Sequence, residues 1–113
     1  MAVAGWYAIG VGALMLVWWA IEVRGGALRR PDRTPAEIGL HLAAEIVAAV
    51  GLVIGGAVAV AGGSASVLLV GLGMLLYTVI QSPGYFLARR ELAPVAMFGV
   101  LVVTTLVAIA LGA

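Results

Sequence analysis

Polar side chains interrupt this chain in only a few places, leaving four long apolar runs separated by three short polar breaks. The first run, residues 2–21, holds no charged side chain and predicts a helix with Trp6 and Tyr7 near its start and Trp18 and Trp19 near its end. Amphipathic rings of this kind settle at the headgroup level of a bilayer. No basic stretch precedes the run and it is longer than a signal-peptide core, so it reads as a retained helix. Residues 22–34, with Gly25, Gly26, Pro31 and four arginines, read as a polar loop, because irregular backbone is not tolerated in hydrocarbon. The second run, residues 38–61, is announced by Thr34-Pro35-Ala36-Glu37. This is a capping box with proline at the first helical position, in which the Thr34 hydroxyl and the Glu37 carboxylate satisfy otherwise orphaned amides. Gly62-Gly63-Ser64 is too short for anything but an antiparallel hairpin into the third run, residues 65–81. Ser82-Pro83-Gly84 is expected to stop that helix, since proline pushes the preceding residue out of the helical region. Within the loop 82–92, residues 85–92 predict a short interfacial helix, and the fourth run is 93–111 with Pro94 near its first turn.

Composition turns these runs into a class. Crossing a hydrocarbon core takes about 20 apolar residues, so four crossings use about 80 positions of the 113. The chain is 65% hydrophobic and 10% charged, whereas soluble domains carry about 25% charged residues. The prediction is all-α: a single integral membrane domain, residues 1–113, folded as an antiparallel four-transmembrane-helix bundle in up-down-up-down order. All six basic residues are arginines. Arg24, Arg29, Arg30 and Arg33 fall in the first break and Arg89 and Arg90 in the third, with none in the second break or at either end. Arginine-rich short loops stay inside, which predicts a multi-pass protein of the cell membrane, N-out and C-out, with loops 22–34 and 82–92 in the cytoplasm. A net charge of +1 without lysine argues against nucleic-acid binding. The absence of cysteine excludes disulfides, thiolate metal sites and cysteine nucleophiles. The two hairpins resemble each other in Gly26, Arg29-Arg30, Pro35 and Gly84, Arg89-Arg90, Pro94, but two short connections under one charge rule look alike without duplication.

Helices in lipid gain little from the hydrophobic effect against one another, so association rests on close contact and hydrogen bonds. Gly51 and Gly55 lie four apart on the second helix, with Ala44 and Ala48 on nearly the same face and Gly56 beside them. Such faces line seams inside the bundle. On a bundle this small they also offer a contact for a second copy of the chain or a larger membrane partner, besides the bilayer itself.

The candidate chemistry sits at one end. Glu37, His41 and Glu45 repeat every four residues and share one stripe of the second helix. Glu37 is explained by its cap. Glu45 lies some 10 Å past the start of the apolar run at about 1.5 Å per residue. An intramembrane acid at that depth normally faces the interior with a partner. Antiparallel counting puts Gln81 near the level of His41, and Tyr77 and Thr78 near Glu45, with Trp18, Trp19 and Glu22 from the first helix close by. The expected ligand-binding cluster is Glu45, His41, Tyr77 and Gln81, in the cytoplasmic half. The outer half reads as apolar, with Thr104 and Thr105 expected to bond only to their own backbone. The functional expectation is binding, extending to transport, of a small ligand or cation at this cluster. The alternative is a non-catalytic accessory or scaffold subunit whose polar cluster only fixes helix packing. With one histidine and no cysteine the chain predicts no cofactor and no metal centre of its own. No nucleophile elbow, phosphate loop or metalloprotease signature is present, which weighs against an enzyme.

Overall fold

The computed structural model describes residues 2–26 and 34–112, and every regular element among them is helical: α1 (Ala2–Arg24), α2 (Pro35–Val60), α3 (Ser66–Gln81), α4 (Pro83–Ala88) and α5 (Leu92–Gly112). Four helical stretches are long and apolar enough to cross a membrane: Ala2–Arg24, Ala36–Val60, Ser66–Ala88 and Leu92–Gly112. Arg29, Arg30 and Arg33, together with Pro31 and Asp32, lie outside the described residues.

Local chemistry sets most of the ends. α1 runs past residue 21 to Arg24, whose charge suits a helix C-terminus. It stops where Gly26 takes φ +87° and donates its N–H to the Val23 carbonyl at 3.1 Å. α2 begins at its capping box: Thr34 is extended (φ −72°, ψ 152°), its Oγ1 accepts from the Glu37 amide at 3.2 Å, and Glu37 Oε2 accepts from the Thr34 amide at 2.8 Å. The helix therefore starts a turn before the apolar run does. At its far end Gly62 takes φ +88°, with Gly62 N–H bonded to the Ala59 carbonyl and Gly63 N–H to Val58. These are the paired bonds of a Schellman turn.

The break expected at Ser82-Pro83-Gly84 is not a turn. Ser82 keeps helical dihedrals (φ −60°, ψ −35°) and Pro83 opens α4 at once, so Ser66–Ala88 is a single apolar stretch with one interruption in its hydrogen-bond ladder. The reversal comes later, at Arg90, which takes φ +58°. Its N–H bonds to the Leu87 carbonyl at 3.0 Å and Glu91 N–H bonds to Phe86 at 2.9 Å, another Schellman pair built without glycine. The stacking of Phe86 on Phe98 of α5, centroids 5.9 Å apart, holds α4 along the bundle.

α2 is the most enclosed helix, with 33% of its apolar stretch buried against 17% for α5. Its seam with α1 is backbone on backbone: a Cβ placed on Gly56 would stand 2.5 Å from the Gly5 carbonyl oxygen, and one on Gly12 would stand 2.7 Å from the Ala49 carbonyl oxygen. Residue numbers thus rise along α1 as they fall along α2. A neighbouring face of α2, about 100° round the helix, meets α3 through Gly55, where a Cβ would stand 2.5 Å from the Leu68 amide nitrogen, and Leu52 packs against Gly71 as well as Gly12. Between these seams lies a core of Ala4, Ala8, Leu52, Leu68, Leu72, Leu75, Val79 and Ala108, closed at the back by α5.

Candidate functional site

Two groups of polar side chains gather inside the bundle, one near each end of α1. The α1 seam on α2 runs through Gly56, Leu52 and Ala49, and one turn further back along the same face come Glu45 and then His41. His41 Nε2 lies 3.1 Å from Glu45 Oε2, with Nε2 donating to the carboxylate. The edge of this pair is covered by Trp19 of α1, whose ring meets the imidazole at 5.8 Å between centroids and 62° between planes. The Glu45 side chain is 13% exposed and that of His41 29%. Glu45 is ten residues into α2, about 15 Å along its axis. Glu22 is half-buried at the last turn of α1, three residues beyond Trp19, whereas Glu37 stands exposed in its cap.

The structure therefore brings Glu45 and His41 together, but against α1 and not α3. Tyr77 is 68% exposed and Gln81 is exposed. Tyr77 lines a shallow groove of about 410 Å³ with Ala44, Ala48, Gly73 and Met74 on the α2–α3 side. Ala44 and Ala48 sit on the α3-facing flank of α2, roughly 60–100° round the helix from Glu45 at 100° per residue. Tyr77 shares this groove with Ala44 and Ala48, but a shared level along the axis does not fix azimuth. Thr78 bonds back to the Met74 carbonyl at 3.1 Å. Ser82 Oγ, at the α3–α4 junction, is buried without a hydrogen-bond partner.

The other polar group was not expected. Tyr7, read from the sequence as a headgroup ring, is half-buried, and its hydroxyl lies 2.8 Å from Thr104 Oγ1 and 2.9 Å from Thr105 Oγ1. Thr104 also makes the expected bond to its own backbone, donating to Val100 at 2.9 Å. With that proton committed, one arrangement satisfies every donor: Thr105 donates to Tyr7, Tyr7 donates to Thr104, and Thr104 donates to the Val100 carbonyl. Thr105 is fully buried. The chemistry is interhelical hydrogen bonding in an apolar setting, and the expectation that Thr104 and Thr105 bond only to their own backbone is corrected. The signal available in the sequence was the Thr104-Thr105 doublet in an otherwise apolar run, but nothing in the sequence ties it to a residue near the other terminus. Beside these hydroxyls runs a second apolar groove, about 240 Å³, lined by Val3, Ala4, Val103, Val107 and Leu111.

Among the described residues no three His, Cys, Asp or Glu side chains gather to hold a metal ion. The His41–Glu45 pair offers one nitrogen and one carboxylate, a set that needs further ligands from elsewhere. No curated protein and no solved structure matches the chain. A family model does match, over residues 1–112, and on that match the chain belongs to the family described as Domain of unknown function (DUF8058).

Proposed function

We propose that this is a multi-pass protein of the cell membrane, its four apolar stretches crossing in antiparallel up-down-up-down order, N-out and C-out, with the arginine-bearing loops in the cytoplasm. It acts as a non-catalytic accessory or scaffold subunit whose internal polar groups fix helix register. The observation that carries this reading is how Glu45 is placed: paired with His41, covered by Trp19, 13% exposed, and absent from the lining of both grooves. A carboxylate closed on a neighbour one turn away is poorly placed to exchange a ligand. The dimensions agree with insertion, since the long axis of 45 Å matches a bilayer of about 40–45 Å including headgroups. The lateral surface is rich in exposed Val, Leu and Ile, which suits lipid and a membrane partner. Of the Gly51 and Gly55 pair, Gly55 is closed by α3, whereas a Cβ on Gly51 would meet nothing within 4 Å, so Gly51 is the position open to a neighbour or a second copy.

The second reading is binding, extending to transport, of a small ligand or cation at Glu45 and His41 with Tyr77 and Gln81 at the rim. It is favoured by the 29% exposure of the His41 side chain. The Glu45→Gln variant in lipid nanodiscs separates the two. The scaffold reading expects a lower unfolding midpoint that added divalent cations or organic cations do not change. Ligand-dependent stabilisation of the parent chain, lost in Glu45→Gln, would establish the binding reading instead. Sidedness is tested by thiol labelling of intact cells. Ser64→Cys should label from outside, and Ala88→Cys only after permeabilisation. The reverse pattern would overturn the orientation.

A further inference from the structure

Two junctions in this chain carry the same local signal and adopt opposite conformations. At the start of α2 a hydroxyl residue precedes a proline at the first helical position, and Thr34 is extended with its hydroxyl capping the helix. At the start of α4 Ser82 precedes Pro83 in the same way, yet Ser82 is helical, makes no cap bond, and buries its Oγ without a partner. Proline favours extended backbone in the residue before it, and serine is among the strongest helix caps when it takes that conformation. A single change of ψ at Ser82, from −35° to the region of the 152° seen at Thr34, brings its hydroxyl within reach of the first free amides of α4 and gives the orphan oxygen a partner. The other end of α4 is also set against preference, for Arg90 holds φ +58° where glycine is the usual occupant.

We propose that α4 is a two-position flap hinged at Ser82. In the conformation described here α4 continues the line of α3 and is held by the Phe86–Phe98 stack. In the second, Ser82 is extended and caps α4, and the six-residue helix swings out of line, carrying Arg89 with it. The Arg90 turn at its far end takes up the movement as hinge residues do, by a change of backbone angle at an element terminus. The first form keeps the Phe86–Phe98 stack and the second gains the cap bond, so residue 82 biases the balance between them.

The chain has no cysteine, so a Val70→Cys/Leu87→Cys pair labels cleanly at two exposed sites on α3 and α4. Pulsed electron–electron resonance in lipid nanodiscs then reads the distance between them. In-line helices place the two backbones roughly 26 Å apart, from 17 residues at about 1.5 Å each. The labelled parent is expected to give two peaks, one at the in-line spacing and one shorter. Ser82→Ala removes the capping oxygen and should reduce the shorter peak several-fold, Ser82→Asp should enlarge it, and Pro83→Ala, which restores the missing amide, should leave the in-line peak alone. A single peak in the labelled parent, at whatever distance, overturns the proposal. So does a shorter peak whose share is the same with serine, alanine or aspartate at position 82.

Discussion

The pair at one end of α1 and the trio at the other solve the same problem, a polar group inside an apolar bundle, by different means. His41 and Glu45 find each other within one helix, a turn apart, and Trp19 of α1 gives the pair an aromatic cover. Tyr7, Thr104 and Thr105 find each other across separations of 97 and 98 residues, and their bonds tie α1 to α5. In the first group the His41–Glu45 contact lies within α2, and its tie to α1 runs through Trp19 against the imidazole. The second spans two helices and contributes to their register. The difference teaches that the more conspicuous residue is not the more consequential one. A buried acid stands out in any sequence of this composition, whereas three uncharged hydroxyls do not, yet it is the hydroxyls whose bonds join α1 to α5.

That contrast can be broken or sharpened by substitution, with unfolding followed by denaturant titration in mixed micelles. The largest effect is expected from the seam on which both groups hang. Gly56→Ala drives a methyl against the Gly5 carbonyl and should cost about 3 kcal/mol, at the upper end of overpacking penalties, because backbone cannot step aside as a side chain can. A change below about 1 kcal/mol would mean that α1 and α2 are not held at this spacing. Next is Tyr7→Phe, which strands the buried Thr105 hydroxyl and should cost about 2 kcal/mol. Adding Thr105→Val to that variant removes the stranded group and should recover about half of the loss. If the double variant is as unstable as the sum of the singles, the hydroxyls do not act together. Glu45→Gln keeps a hydrogen-bonding group beside His41 and should cost about 1 kcal/mol or less, in line with average polar contacts in membrane helices. A loss greater than that of Tyr7→Phe would invert the ranking of the two groups. The smallest effect is expected at Gly51, where a methyl meets nothing. Gly51→Ala should stabilise α2 by about 0.5 kcal/mol through helix propensity.

What the sequence disclosed follows the range of the interactions involved. The α2 capping box is settled within four residues and is found as read. The approach of His41 to Glu45 is a one-turn relation and needed only helical periodicity. Placing Tyr77 beside Glu45 required knowing how far α3 is rotated about its own axis, which depends on which small residues of two helices interlock. Here Gly55 and Leu68 set that rotation and turn Tyr77 outward. Ser82 misled for a related reason. Proline before a glycine is locally a stop signal, but the apolar stretch continues to Ala88 and Phe86 stacks on α5, so the helix is kept in line by a contact lying outside the local sequence. Arg90 carries the turn instead, at a residue whose type gives no hint of it.

The bond from Tyr7 to Thr105 also has a bearing on how the bundle comes into being. A ribosome delivers α1 first and α5 last, so the phenol that ends up sharing its proton waits, through the emergence of three other helices, for an oxygen that does not yet exist. Until α5 is made, the Tyr7 hydroxyl on α1 lacks the Thr104 and Thr105 oxygens it pairs with. A truncation anywhere before residue 104 leaves Tyr7 without either of these oxygens for good.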